Sequence, residues 1–406
     1  VLFLTIASFI EVGRIGILQN ALVKYLSSAK EDEYAAITTA SLVINIGLTI
    51  FLAIFLWVTA KPFSILWKTP TLELMLHLYI INNIVLIPFY QFSFIQQGNL
   101  DFRGIFWSSF SKQGSFFLFV LICFIFHIQT DIVKLSVVQI FTSLISVIVS
   151  YFLAKKYLRF SKKIDRNWIN TLFNFGKYVF GTNILSMLFK SLDKMMLGVF
   201  VSPAAVAVYE LAIRITNLAE VPTFSLAAVV FPHSAQKAAS EGIHAIKNVY
   251  EKSVGLMLSV ILPFIIFIMC FPKFVIWIIA GEKYYDTIPI LRITLSFGLF
   301  IPFLVQFGTV IDSIGKPRLN FLFTLLTALI SFACAYFFVR YFGIYGAAFS
   351  TLLAYAISTG LGLYYLHIKL NINPLNAFKY IPFYYKFGYN LIKSKLHFVE
   401  QKSSVL

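Results

Sequence analysis

The chain has 406 residues, of which 59% are hydrophobic and only 12% charged. Soluble domains average roughly 45–50% apolar and about 25% charged. Composition therefore excludes a soluble globular, disordered or collagen-like chain, because too little polar surface would remain to cover the core. The formal net charge of +16 reads, on a membrane protein, as basic loops facing an anionic leaflet rather than as a nucleic-acid surface.

Apolar runs divide the chain in order near 1–27, 36–60, 74–97, 103–126 and 133–154, then 170–200, 204–232, 253–280, 287–313, 318–340 and 343–367, giving eleven predicted spans. A crossing helix needs about 20 apolar residues, and an open backbone cannot cross lipid. Each run is therefore predicted to be helical. Their continuous rather than alternating character excludes a barrel. The longest loop, near 233–252, is about 20 residues and leaves no room for a soluble domain. Cys123, Cys270 and Cys334 lie in apolar runs with no pairing or metal spacing and read as small hydrophobes. No metal or cofactor site is expected. A phosphate-binding Gly-Lys-Ser/Thr loop is also absent from the sequence.

Sorting loop Lys and Arg by side gives 20 against 6, the richer side including Lys155, Lys156, Arg159, Lys162, Lys163 and Arg166. Positive charge stays cytoplasmic, so that side, with the C-terminus, is assigned to the cytoplasm. The tail 369–406 is basic and aromatic, carrying Lys379, Tyr380, Tyr384, Tyr385, Lys386, Tyr389, Lys393 and Lys395. It reads either as an interfacial segment on the inner leaflet or as a frayed, solvated end.

Three passages repeat at offsets of 213 to 217. Ile87-Pro88-Phe89-Tyr90-Gln91-Phe92 returns as Ile301-Pro302-Phe303-Leu304-Val305-Gln306-Phe307, Gly98 to Arg103 as Gly315 to Arg318, and Tyr151-Phe152-Leu153 as Tyr364-Tyr365-Leu366. The offset covers six spans, an even number, so both copies run in the same direction, as in transporters built from parallel repeats. Residues 1–160 form the expected N-terminal lobe of five helices, and 161–368 the C-terminal lobe of six. Matching the two lobes calls for a further first helix upstream of Val1. Pro88, Pro222, Pro263 and Pro302 fall inside spans and predict kinks.

Seven basic residues lie within spans: Arg14, Lys112, Lys177, Lys190, Lys194, Arg214 and Arg292, with Glu11, Asp193, Glu210 and Glu220 near them. A charge at a helix centre costs about 2.5–3.5 kcal/mol on insertion scales, so these groups should face protein or a wet cavity. Lys177, near a helix start, can snorkel. Glu11 with Arg14 and Glu210 with Arg214 have helical spacing and could neutralise locally. Lys190, Asp193 and Lys194 lie together with one positive charge in excess, and Lys112 and Arg292 have no carboxylate within one turn. Arg14, Lys112, Lys190, Lys194, Arg214 and Arg292 are the candidate anion site. Glu11, Asp193 and Glu210 would hold these cations or carry coupling protons. No residue is assigned a catalytic role. Among uncharged polar residues, Gln19, Gln91, Asn183 and Gln306 read first as interhelical hydrogen-bonding groups.

At this point the chain resembles the polysaccharide or O-antigen flippases of the multidrug/oligosaccharidyl-lipid/polysaccharide exporter superfamily. The residues that carry the resemblance are Gly16 to Ser27 ahead of a short acidic loop, Ser191-Leu192-Asp193-Lys194-Met195-Met196-Leu197-Gly198, then Val208-Tyr209, Arg214-Ile215 and Phe231-Pro232. The resemblance implies an all-α polytopic membrane protein: two six-helix bundles forming a V-shaped, alternating-access transporter, not an enzyme. It implies a polyprenyl-diphosphate-linked oligosaccharide as substrate, carried across a bacterial inner membrane for lipopolysaccharide or other surface polysaccharide synthesis. The implied partners are that substrate, membrane lipids, a coupling proton or sodium ion, and other polysaccharide-assembly proteins. Nucleic acid is not among them. An ion-coupled multidrug exporter and a membrane glycan polymerase or ligase are the alternatives. The excess of basic groups within spans argues against the first, and the short outer loops against the second.

Overall fold

A computed structural model describes residues 2–403. Val1 and residues 404–406, the ends of the expected lobe and tail, lie outside the described residues, as does the side chain of Lys395. The chain is helical throughout, with no strand among the described residues. In order come α1 (Leu2–Ser27), α2 (Glu31–Leu66), α3 (Thr71–Gly98), α4 (Phe102–Ile125), α5 (Ile132–Ala154) and α6 (Arg166–Phe200). They are followed by α7 (Pro203–Ser240), α8 (Ile246–Cys270), α9 (Pro272–Ala280), α10 (Ile288–Gly298), α11 (Ile301–Ser313), α12 (Pro317–Leu370) and α13 (Asn376–Ser403).

Helix starts follow local chemistry. The Asp101 and Asp131 side chains accept the Gly104 and Lys134 backbone N–H groups, at 3.3 and 2.6 Å. Ser202 caps α7 through the Ala205 N–H at 3.2 Å, with Pro203 at the first helical position. These groups satisfy donors that a helix end leaves open.

Among the described residues, eight helical stretches are long and apolar enough to cross a membrane, with α10 and α11 counted together as Glu282–Ser313, and α7, bent by 43° near Leu218–Glu220, makes nine. The eleven predicted spans are recovered when α12 is divided at Gly343, where φ is 57°, and α6, too polar to pass on composition, is included. Two predicted spans are broken. The run 253–280 is α8 followed by the short α9, and the run 287–313 stops at Leu299–Phe300 between α10 and α11. Pro302 therefore opens a new helix, while Pro88 lies inside α3. Missing a backbone donor, proline is tolerated at a helix start but kinks an interior. Large apolar side chains face outward, as α2 illustrates with Phe51 at 65% and Trp57 at 69% exposure, which suits lipid as solvent.

The chain divides into two compact units, residues 1–184 and 185–406, the division falling within α6. In the first, α3 packs against α1, α2, α4 and α5, and Ile10, Leu56, Ala60, Leu72, Leu76 and Tyr79 form an apolar cluster. Amides join the helices. Gln19 donates to Gln97 at 2.8 Å and Gln91 to Ser41 at 2.6 Å. In the second, α7 packs on α8, α10 and α11, and α11 on α12. The tail is not frayed where α13 begins. Asn373 N–H and Asn376 Nδ2 donate to the buried carboxylate of Glu251, at 3.1 and 3.3 Å, and Tyr385 Oη donates to Ser259 O at 2.8 Å.

Candidate functional site

The first unit holds a buried cation. Arg14, on α1, is 1% exposed. Its Nη2 donates to Thr49 Oγ1 of α2 at 2.8 Å and to both the side-chain and backbone oxygens of Asn83 on α3. The guanidinium also lies over the Tyr90 ring, 5.0 Å from its centroid, where the ring's negative face attracts a cation. Thr49 Oγ1 in turn donates to Asn45 O at 2.8 Å. Three helices thus position one charge. Nε and Nη1 of Arg14 find no acceptor among the described residues. An orphaned buried donor costs about 1–3 kcal/mol, so the cluster is poised to accept further oxygen ligands.

Glu11 and Arg14 do not form the expected local pair. Arg14 has no carboxylate within 4.0 Å among the described residues, because it turns toward α2 and α3, while Glu11 lies close to the Tyr90 hydroxyl. Lys112 joins them from α4, its Nζ 5.5 Å from the Phe89 ring centroid and within electrostatic range of Glu11 and Arg14. One positive charge is in excess in this cluster.

The second unit arranges its charges differently. Lys190 pairs with Glu220 at 2.6 Å, and Lys194 and Arg214 share Glu210 at 3.0 and 3.1 Å. By spacing along α6, Asp193 groups with Lys190 and Lys194. In the structure Asp193 is buried and accepts from Tyr209 Oη at 2.8 Å, from Ser350 Oγ at 3.4 Å and from Thr351 Oγ1. Three hydroxyls from α7 and α12 thereby solvate an anion that lipid could not. The three cations pair with two carboxylates, Glu220 and Glu210, and Asp193 lies within electrostatic range of Lys194, so the formal charges of the group balance. Arg292 of α10 is exposed, with no ion pair among the described residues. Lys177 is likewise exposed and donates to Asn174 at 2.8 Å.

Sequence reasoning missed Thr49, Asn83, Tyr90, Tyr209, Ser350 and Thr351 as partners. Asn83 had a usable signal, a buried amide in an apolar helix, whereas single hydroxyls carry none.

A family profile described as "Polysaccharide biosynthesis protein" matches residues 1–289. The chain belongs to that family. Among curated relatives, an uncharacterized membrane protein of Methanocaldococcus jannaschii, MJ1068, is 28% identical over 270 residues, covering 64% of this chain and 53% of that protein. The probable low-salt glycan biosynthesis flippase Agl15 of Haloferax volcanii is 24% identical over 202 residues, covering 50% of this chain and 43% of its own length. The chain thus spans about half the length of the curated relatives it matches. Among solved structures, an outward-facing multidrug resistance MATE family transporter of the MOP superfamily aligns with a TM-score of 0.81 at 16% identity, over 91% of this chain and 86% of that one. A MOP superfamily transporter from Pyrococcus furiosus aligns at 0.79 and 16% identity, over 91% and 87%. At such identities the likeness establishes the fold, which is the polytopic helical fold of that superfamily.

Proposed function

We propose that this protein is a flippase that carries a polyprenyl-diphosphate-linked oligosaccharide from the cytoplasmic to the outer face of a bacterial inner membrane during surface polysaccharide synthesis. Membership of the polysaccharide biosynthesis family and the transporter fold support this reading, as does the flippase name of the Haloferax volcanii relative. The observation that carries it is the excess positive charge around Arg14 and Lys112 in the first unit. Arg14 is buried with two donor nitrogens unanswered, and Lys112 lies within electrostatic range of it, with Glu11 the one acid acting on both. A diphosphate is the ligand chemistry such donors bind, by charge-assisted hydrogen bonds. A sugar cannot cross lipid unaided, while its lipid carrier stays in the bilayer. Export of small cationic compounds would instead favour a free carboxylate, and Asp193 already accepts from three hydroxyls.

The test is flipping of a fluorescent lipid-linked oligosaccharide in proteoliposomes, read by quenching of the outer leaflet. Arg14→Gln and Lys112→Gln are expected to slow flipping by more than tenfold with insertion and folding intact. Wild-type rates in both variants would overturn the assignment.

A further inference from the structure

The segment 155–166 runs from the end of α5 to the first residue of α6, and it is far more ordered than a linker between spans requires. Tyr34 Oη donates to Tyr157 O at 3.1 Å, and Asn99 Nδ2 to Tyr34 Oη at 2.8 Å. Thr39 Oγ1 accepts the Ser161 N–H at 2.8 Å and donates to Ser161 O at 3.3 Å. Asp101, the cap of α4, accepts Tyr157 Oη at 3.1 Å and pairs with Lys156 at 3.1 Å, while Arg159 reaches Glu31 at 3.3 Å. The segment is thereby fastened to the adjoining ends of α2, α3 and α4.

These contacts sort its six cations. Lys156 and Arg159 are occupied in the clamp. Lys155, Lys162, Lys163 and Arg166 are exposed and have no carboxylate partner among the described residues. Between them stand Phe160 at 44% and Ile164 at 59% exposure. Two apolar side chains set among four free cations, held on a fixed backbone between two spans, match the chemistry of a bilayer surface, with acyl chains below and phosphates beside. Free lysines on a floppy loop would lose much of that attraction to ordering; here the backbone is ordered in advance.

We propose that segment 155–166 is a binding surface for the headgroups of anionic phospholipids, with Lys155, Lys162 and Lys163 on the phosphates and Phe160 and Ile164 in the acyl boundary. Topology alone asks only that basic residues remain on one side. The clamp adds selectivity between lipids, which topology does not require.

The test uses the full chain in nanodiscs and native mass spectrometry of retained lipid, comparing phosphatidylglycerol with phosphatidylcholine. The wild type should retain phosphatidylglycerol preferentially. Lys155→Gln/Lys162→Gln/Lys163→Gln should lose about fivefold in that preference for each lysine, and F160S/I164S should weaken both lipids together. The same three-fold neutralisation at Lys68, Lys134 and Lys283, in the oppositely assigned loops, should change nothing. Retention without preference in the wild type, or equal loss in the two triple variants, would overturn the proposal. Because the readout is lipid retention, it stands or falls apart from transport.

Discussion

Asn83→Leu removes from Arg14 its side-chain acceptor on α3, leaving Nη2 with Thr49 Oγ1 at 2.8 Å and Asn83 O at 3.2 Å. Hydrogen bonds to charged groups contribute about 1.5–3 kcal/mol in soluble proteins. Between transmembrane helices the average is about 0.6 and the maximum about 1.7 kcal/mol. Arg14 is 1% exposed and already lacks acceptors for Nε and Nη1, so no solvent or spare partner can soften the loss. A cost near the top of the intramembrane range, about 1.5 kcal/mol, is expected. Arg14→Met in the Asn83→Leu background should recover the unfolding midpoint, because it removes the charge that needed the acceptor. The assay pairs thermal unfolding with flipping on the same preparations. Under the proposed function the double variant regains stability and still fails to transport. An unchanged midpoint in N83L would refute the energetic argument, and normal transport by the stable double variant would refute the role of Arg14.

Two further predictions concern packing and pH. At Gly176 an added Cβ would lie 1.9 Å from Ile17 O, a backbone atom that cannot turn aside, so Gly176→Ala should cost at least the 1–3 kcal/mol (about) typical of overpacking. Gly360→Ala, with nothing within 4 Å, should leave the thermal midpoint level or raised. At Asp101 burial pushes the carboxyl up, but hydrogen bonds from Lys156, the Gly104 N–H and Tyr157 outweigh it and hold the group below its usual range. A depressed folded value means the clamp's contribution is complete above the unfolded value of about 3.9 and is lost as pH falls through the folded one. Amide protection across 155–161 should therefore hold from neutral pH down to about 4 and fail only below it; loss of protection already near pH 6 would refute the Asp101 clamp.

The spans were legible because lipid imposes a length and a composition on any crossing helix, and the ends of α1, α4 and α5 lie close to the predicted limits. The break at Leu299–Phe300 was not, since the run on both sides is equally apolar. Charge pairing was readable only where helical spacing enforces it. Glu210 and Arg214, four apart, do meet. Glu11 and Arg14, three apart, do not, because Asn83 and Thr49 offer Arg14 nearer acceptors. Lys190 finds Glu220 thirty residues on, and Asp193 finds Ser350 and Thr351 more than 150 residues on. Such partners are set by tertiary packing, which no periodicity records.

The clasp between α8 and the turn ahead of α13 has a consequence for how the chain is made. Glu251 is 3% exposed in the finished protein, yet the Asn373 amide that answers it lies 122 residues later. During synthesis α8 enters the membrane long before that amide is polymerised. For that interval the carboxylate must remain hydrated, which keeps the start of α8 at the water boundary rather than drawn into lipid. The second unit is thus closed only after α12 has been made, by a residue of the turn ahead of α13 returning to one of its earlier helices.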